Sequence, residues 1–158
     1  MKYLLPLIFT LGSCIITQAQ SPKTNDPRPH FSAIIVNDMS ISVTWYKEIL
    51  GLEVLDSVSS EERGFKITNL KRGDLLIELI ELKSAISRQD FLEGKGSKAR
   101  LTGLFKFGLS VNDFDVWVGH FNDQQVQFQG EVVRSHLTDK RMVIILDPDG
   151  NRIQVFEQ

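Results

Sequence analysis

Histidine and cysteine, which serve as transition-metal ligands and as catalytic bases or nucleophiles, are scarce in this sequence. The chain has only three histidines and one cysteine, so a multi-cysteine zinc site and a disulfide framework are excluded. If the apolar N-terminal stretch that contains Cys14 is removed, no thiol remains for catalysis. Among the carboxylates, Glu78 interrupts the apolar run 75–80, so its side chain faces either a cavity or solvent.

Composition limits the classes of protein to which the chain can belong. The 158 residues are 42% hydrophobic, which predicts one globular domain with a sizeable core. The formal net charge is −2, and the lysines and arginines are scattered along the chain. No nucleic-acid partner is therefore predicted.

Residues 1–19 have the pattern of a secretory signal peptide. A basic start is followed by the apolar run 4–16, and the small residues Thr17 and Ala19 precede a cleavage point before Gln20. The run is too short for a membrane-spanning helix. We therefore expect an exported protein, periplasmic or secreted, with residues 20–29 as an extended, proline-rich lead-in.

An alternative interpretation of the same stretch is a lipoprotein signal. The sequence Leu11-Gly12-Ser13-Cys14 resembles a bacterial lipobox, which would tether the protein to a membrane through a lipidated Cys14. The apolar run continues beyond Cys14 through Ile15 and Ile16. This continuation favours the soluble exported form.

Hydrophobic periodicity predicts the order β-α-β-β-β in the first half of the domain. The helix covers residues 41–50, with Ser40 as its N-cap and Gly51 at its end. Its apolar positions include Trp45 and Tyr46, which are predicted to be core residues, as is Trp117 in the second half. The strands cover residues 31–36, 52–55, 64–70 and 75–82, with a polar turn at 57–63.

The same order returns after a polar linker, residues 83–102, which contains one short helical stretch at 86–92. The second helix is predicted at 114–123. The strands are predicted at 105–111, 126–128 with a continuation to 133, 141–146 and 152–157. The last two strands flank Asp147-Pro148-Asp149-Gly150, whose residues favour a tight turn.

The two halves align as copies of one module. Val-Asn-Asp occurs at Val36 and again at Val111, a separation of 75 residues (111 − 36). Glu78 aligns with Gln154, a separation of 76 residues (154 − 78). A repeat of this length with mixed elements is a packed module rather than a solenoid unit.

These features resemble the vicinal oxygen chelate superfamily, which includes glyoxalase I, bleomycin-resistance proteins and extradiol dioxygenases. The resemblance rests on Tyr46 with Leu50-Gly51 and on the closing segment 147–157, and it covers residues 30–158. It implies an α+β fold of two tandem βαβββ modules, residues 30–82 and 103–158, that form a curved mixed sheet around a cup.

In metal-dependent members of this superfamily, His or Glu side chains at four positions hold a divalent metal that two substrate oxygens chelate. The two repeats place these positions at Phe31, Glu78, Lys106 and Gln154. A phenylalanine cannot ligate, a protonated lysine has no lone pair, and a glutamine is a weak neutral ligand. The resemblance therefore predicts a degenerate metal site in which Glu78 is the one surviving donor and the candidate catalytic group.

The histidines offer few replacements for the missing ligands. His30 is the remaining candidate to ligate beside Glu78, but a shift of one residue turns its side chain to the other face unless a bulge intervenes. His120 and His136 are predicted to be surface histidines on the second helix and beyond the sixth strand.

We expect Glu78 and Lys106 to share the cup as an ion pair, because an unpaired buried charge is costly. This pair would be a structural replacement for the metal or a polar anchor for an organic ligand. Arg152 would meet an anionic ligand, or would lie exposed on an edge strand. The predicted ligand-binding residues are Phe31, Glu78, Lys106, Ser110, Arg152, Gln154 and Phe156, with Ala33, Ile35, Ile80 and Gly108 on the same face.

Three functions remain open at this point. The first is an exported domain that binds a small organic molecule without a metal, either to sequester it or to catalyse a metal-free reaction; no cofactor is predicted for it. The second is a metal-dependent lyase, isomerase or dioxygenase of the glyoxalase type that uses Glu78 and a histidine. The third is a non-catalytic interaction module. The modules would pair within the chain or in a homodimer.

Overall fold

Each half of the chain folds into one helix and one four-stranded sheet. The structure, a computed structural model, describes residues 28–95 and 102–158, so the predicted signal peptide lies outside the described residues. The first module comprises β1 (Ser32–Val36), α1 (Met39–Leu50), β2 (Glu53–Ser60), β3 (Phe65–Arg72) and β4 (Leu75–Leu82). A short helix α2 (Arg88–Leu92) follows, and the second module comprises β5 (Phe107–Val111), α3 (Phe114–Asp123), β6 (Val133–Arg134), β7 (Arg141–Leu146) and β8 (Arg152–Glu157).

The two sheets have the same strand order, β1-β4-β3-β2 and β5-β8-β7-β6. In each sheet the first strand of the module pairs in parallel with the last, and the other pairs are antiparallel. The crossover through the helix permits the parallel pairing. The predicted α+β fold of two βαβββ modules is confirmed.

The start of α1 and the length of β2 differ from their predictions. The N-cap of α1 is Asp38, whose Oδ1 accepts a hydrogen bond from the Ile41 amide at 2.9 Å, and the predicted cap Ser40 lies in the first turn. The predicted turn at 57–63 is largely strand, because β2 continues through Ser60 beside β3. β2 is an edge strand with exposed side chains. Its polar residues face solvent, so the segment lacks the apolar alternation from which a strand is predicted.

The sixth strand is shorter than the predicted 126–133. Phe128 makes only an isolated bridge to Ile145, and β6 is confined to Val133–Arg134. Gln125 and Gly130 have φ values of 55° and 89°, which interrupt extended backbone on both sides of Phe128. The segment therefore runs beside β7 as a loop, with one isolated bridge before the short β6.

One hydrophobic core joins the two modules. It contains alternate residues of the central strands, such as Ile77, Leu79, Ile153 and Val155, each at most 1% exposed. Tyr46, predicted as a core residue, is fully buried. Trp45 and Trp117 are half-buried and pack against this core.

The closing turn of the second module is fastened to the helix of the first. The Tyr46 hydroxyl donates to Asp147 Oδ2 at 3.0 Å, and Asp147 is 5% exposed. The same carboxylate accepts from the Asp149 amide and from the amide and side chain of Asn151 at 2.8–3.0 Å. Burial raises the pKa of Asp147, while the hydrogen bonds from Asn151 and Tyr46 act in the opposite direction.

A second cross-module contact joins the helix of module 2 to the first module. His120 Nε2 lies 3.1 Å from the carbonyl oxygen of Ile49, and the Arg72 guanidinium lies over the Trp117 ring at 5.1 Å. Arg72 also donates to the Leu50 carbonyl at 2.8 Å. Each helix therefore contacts the other module, which fixes the two sheets relative to each other.

Candidate functional site

The sheet face opposite the helices, called here the open face, carries the predicted ligand-binding residues. Ile34 and Val36 of β1 are buried in the core, whereas the alternate residues Ala33 and Ile35 are exposed. Because side chains alternate along a strand, Ala33 and Ile35 point away from the helices. By the same alternation Arg152, Gln154 and Phe156 of β8 lie on the open face.

In module 1, the two mapped ligand positions lie in different surroundings. Phe31 precedes β1 and is 52% exposed. Glu78 is half-buried in the middle of β4, between Ala33 on β1 and Asn69 on β3. The case for Glu78 as a catalytic group therefore rests on its position alone.

In module 2, Gln154 is buried, although it lies on the open face. It is 6% exposed, and its Nε2 contacts Met142 Sδ on the neighbouring strand. On the other side it pairs with Gly108, whose missing side chain leaves room for Phe156. Gln154 is therefore a packed residue beneath the face, and its amide is less available to a ligand than its position predicts.

The predicted ion pair between Glu78 and Lys106 is not formed in this structure. In residues 28–95 and 102–158, Lys66 pairs with Glu81 at 2.7 Å, and Arg134 lies 3.9 Å from Asp139. The remaining pairs join Arg141 to Asp115 and Glu157. The two mapped residues belong to different sheets, and alternation alone does not set the distance between sheets.

Lys106 and Arg152 instead line a cavity of about 230 Å³ where β1 meets the starts of β5 and β8. A third cation, Arg88 of the short helix α2, lines the same cavity. Within the described part of the chain, no aspartate or glutamate lines it. The other lining residues are Ala33, Ile34, Ile35, Leu104, Phe105, Phe107, Gly150 and Asn151.

The guanidinium of Arg152 is held in place from two sides. Its Nε donates to the side-chain oxygen of Gln129, and its Cζ lies 4.5 Å from the centre of the Phe105 ring. The alternative that Arg152 lies on an edge strand is wrong, because β8 is flanked by β5 and β7.

Arg88 was not identified from the sequence. It lies in the segment interpreted as a polar linker, and no periodicity connects it with Lys106 or Arg152. The one signal that concerns it is the predicted helical stretch at 86–92, which the structure has as Arg88–Leu92.

The other predicted site residues are distributed elsewhere. Ser110 and Gly108 line a second cavity, of about 560 Å³, between β5 and the Leu50–Arg72 region of module 1. Ile80 is half-buried on β4. Of the predicted ligand-binding residues, Lys106 and Arg152 therefore line the first cavity and Ser110 the second, while Phe31, Glu78, Gln154 and Phe156 line neither of these two.

The histidines are not gathered into a metal centre. His30 and His136 are exposed, and His120, predicted to be a surface residue, is half-buried against α1. Among the residues that the structure describes, no three of the His, Cys, Asp and Glu side chains form a group that could hold a metal ion. None of the described helices is long and apolar enough to span a membrane.

Fold and strand order define a protein of the paired βαβββ class. The profile of the Glyoxalase/Bleomycin resistance protein/Dioxygenase superfamily matches residues 28–155. The chain belongs to this superfamily.

Sequence alignments with two relatives cover nearly the whole of the described fold. The chain is 30% identical to the uncharacterized protein YaeR of Escherichia coli K12 over 130 residues, which cover 82% of this chain and 95% of YaeR. It is 28% identical to the uncharacterized protein YwkD of Bacillus subtilis over 131 residues, with the same coverage of each chain.

Solved structures of glyoxalase-type proteins share the fold. A glyoxalase family protein of Enterococcus faecalis superposes with a TM-score of 0.70 at 23% identity, covering 82% of this chain and 97% of that one. The trypanothione-dependent glyoxalase I of Leishmania major gives a TM-score of 0.63 at 20% identity, covering 83% and 87%. At these identities the likeness establishes the architecture, while function depends on the site.

Proposed function

We propose that this protein is an exported vicinal-oxygen-chelate-type domain that binds a small organic molecule without the usual metal. The single observation that carries the proposal is the chemistry of the four mapped positions. Phe31, Lys106 and Gln154 together offer one neutral oxygen donor, and Glu78 is the only carboxylate. This donor set does not fit a divalent metal, so no reaction step is assigned to one.

The cavity between β1, β5 and β8 supports binding rather than a purely structural role. It combines apolar walls from Ala33, Ile35 and Phe105 with polar groups that converge from α2, β5 and β8. Small-molecule sites typically have this composition. Export is proposed from residues 1–19 alone, by the pattern of basic start, apolar run and small residues.

Metal content tests the proposal directly. The purified protein is incubated with Mn, Fe, Ni and Zn, gel-filtered, and read by plasma mass spectrometry. We expect far less than one metal per chain, with Glu78→Ala indistinguishable from the wild type. Glu62→Ala, which removes an exposed carboxylate from the β2–β3 turn, is the matched control. Near-stoichiometric metal that Glu78→Ala loses and Glu62→Ala keeps would reject the proposal and favour the metal-dependent lyase, isomerase or dioxygenase.

A thermal-shift screen of neutral and charged organic molecules then distinguishes a binding domain from an interaction module. A ligand that binds only the folded protein raises its melting temperature in proportion to occupancy. We expect at least one class of small molecule to do so at millimolar concentration. If no class raises the melting temperature, the cavity is not a ligand site and the interaction module is the better interpretation.

A further inference from the structure

We propose that the cavity lined by Arg88, Lys106 and Arg152 binds the carboxylate of a small organic acid whose apolar part lies against Ala33, Ile35 and Phe105. This inference rests on the proposed small-molecule function and specifies the chemical class of the ligand. It places positive charge where β1 meets the starts of β5 and β8.

Charge is the first argument for an anion. The chain as a whole is slightly acidic, with a net charge of −2, yet three cations surround one small cavity. None of the four ion pairs among residues 28–95 and 102–158 involves Arg88 or Lys106. A cleft lined by one sign of charge concentrates its field and attracts ions of opposite sign.

A carboxylate that lines an adjoining cavity is already engaged. Asp149 lines an adjoining cavity of about 390 Å³ that shares Ile35, Arg88 and Asn151 with the cationic one. Its Oδ2 accepts from the Asn37 amide at 3.2 Å and from the Ser42 hydroxyl at 3.5 Å. Asp149 is therefore directed to the start of α1.

The fixed geometry of Arg152 is the second argument. Gln129 and Phe105 hold its guanidinium, so binding an anion costs little additional side-chain entropy there. Lys106 directly precedes β5 and Arg152 begins β8, so each lies one residue before the paired residues Phe107 and Ile153, and both line the cavity. A carboxylate between them would be bound by charge-assisted hydrogen bonds, which are stronger than neutral ones.

Size and wall chemistry limit the ligand. A cavity of about 230 Å³ lies below the usual range for drug-sized ligands, and its walls include exposed apolar groups such as Ile35 and Phe105. These dimensions suit a compact acid with a short apolar or aromatic body. The adjoining cavity with Ile86 and Phe91 provides apolar surface for a longer one.

The test compares two probes of the same shape, 3-phenylpropionate and its neutral amide 3-phenylpropionamide. Binding is followed by NMR chemical-shift changes up to about 20 mM, which detects affinities of millimolar strength. We expect the carboxylate to bind, the amide to bind at least about fivefold more weakly, and added salt to weaken only the carboxylate.

Variants assign the effect to the cavity. Lys106→Met is expected to raise the Kd of the carboxylate about five- to tenfold, and Lys106→Arg, which keeps the charge, to retain binding. Arg63→Gln removes an exposed arginine of the β2–β3 turn outside the cavity and should leave the Kd within about twofold. A melting curve for each variant confirms that it is folded.

The inference is overturned if the carboxylate causes no shifts, if the amide binds equally well, or if Lys106→Met binds like the wild type. Binding of the amide alone would leave the proposed metal-free function standing and reject only the anion. Stoichiometric metal in the mass-spectrometric assay would reject the proposed function, whatever the two probes do.

Discussion

Removing the hydroxyl of Tyr46 should destabilise the fold by about 2 kcal/mol. The substitution Tyr46→Phe keeps the buried ring and deletes one hydrogen bond, the 3.0 Å contact with Asp147. Hydrogen bonds to charged groups contribute roughly 1.5–3 kcal/mol. The lower half of this range applies because Asp149 and Asn151 still donate three hydrogen bonds to the same carboxylate.

Urea unfolding at pH 7 measures the change, and the melting temperature should fall by roughly 5–10 °C. Ser42→Ala is the matched control, because its hydroxyl contacts the same turn through a long 3.5 Å bond to Asp149 and should cost less. A free energy for Tyr46→Phe within about 0.5 kcal/mol of the wild type would refute the reasoning, since surface substitutions commonly have that effect.

Alkaline titration offers an independent check on the same bond. Burial, followed by the charge of Asp147, raises the pKa of Tyr46 well above the ordinary value of about 10. Because the folded pKa is raised, the hydroxyl stabilises the fold fully below pH 10, and this contribution declines above it. The difference between wild type and Tyr46→Phe should therefore shrink in alkali. The chain has two tyrosines, Tyr3 and Tyr46, and cleavage before Gln20 leaves Tyr46 as the sole source of tyrosinate absorbance.

Two further predictions concern other parts of the fold. Hydrogen bonds from Arg141 lower the pKa of Glu157 to about 2, so their stabilisation is present above pH 4.5 and is lost as the pH falls towards 2. In Arg141→Gln the free energy of unfolding should therefore fall less steeply between pH 4.5 and pH 2 than in the wild type. An unchanged dependence on pH in this range would contradict the prediction. Gly51→Ala should destabilise the fold by about 1–2 kcal/mol in thermal unfolding, because φ at Gly51 is 66° and the new Cβ would lie 2.7 Å from Arg72 Nη1. The control Gly119→Ala places a Cβ in open space on α3 and should stabilise the fold by up to about 1 kcal/mol. Equal effects at the two glycines would show that backbone strain at Gly51 is absent.

Much of the fold could be predicted because local signals agree with one another. The repeated Val-Asn-Asp and the alignment of Glu78 with Gln154 set the module length, and apolar periodicity placed both helices. The error at the start of α1 arose because two neighbouring residues carry the same signal. Asp38 and Ser40 are both good N-caps, and the structure uses Asp38.

The site was less predictable, because strand alternation gives the face of a residue and not its distance from residues on another sheet. The repeat placed Lys106, and alternation placed Arg152, on the cup face with Glu78; Lys106 and Arg152 line one cavity, but the ion pair expected between Glu78 and Lys106 is not formed. Arg88 enters the cavity from a helix outside both repeats. No repeat-based argument can place a residue that has no counterpart in the other copy.

The fastening of α1 to the closing turn has a consequence for how the polypeptide acquires its fold. Tyr46 and Asp147 are separated by 101 residues, and Asn37 and Asp149 by 112. Contacts of such high sequence separation are slow to form, because the intervening chain must first be ordered. During synthesis α1 emerges long before β8, so its final partners are missing until the last strands leave the ribosome.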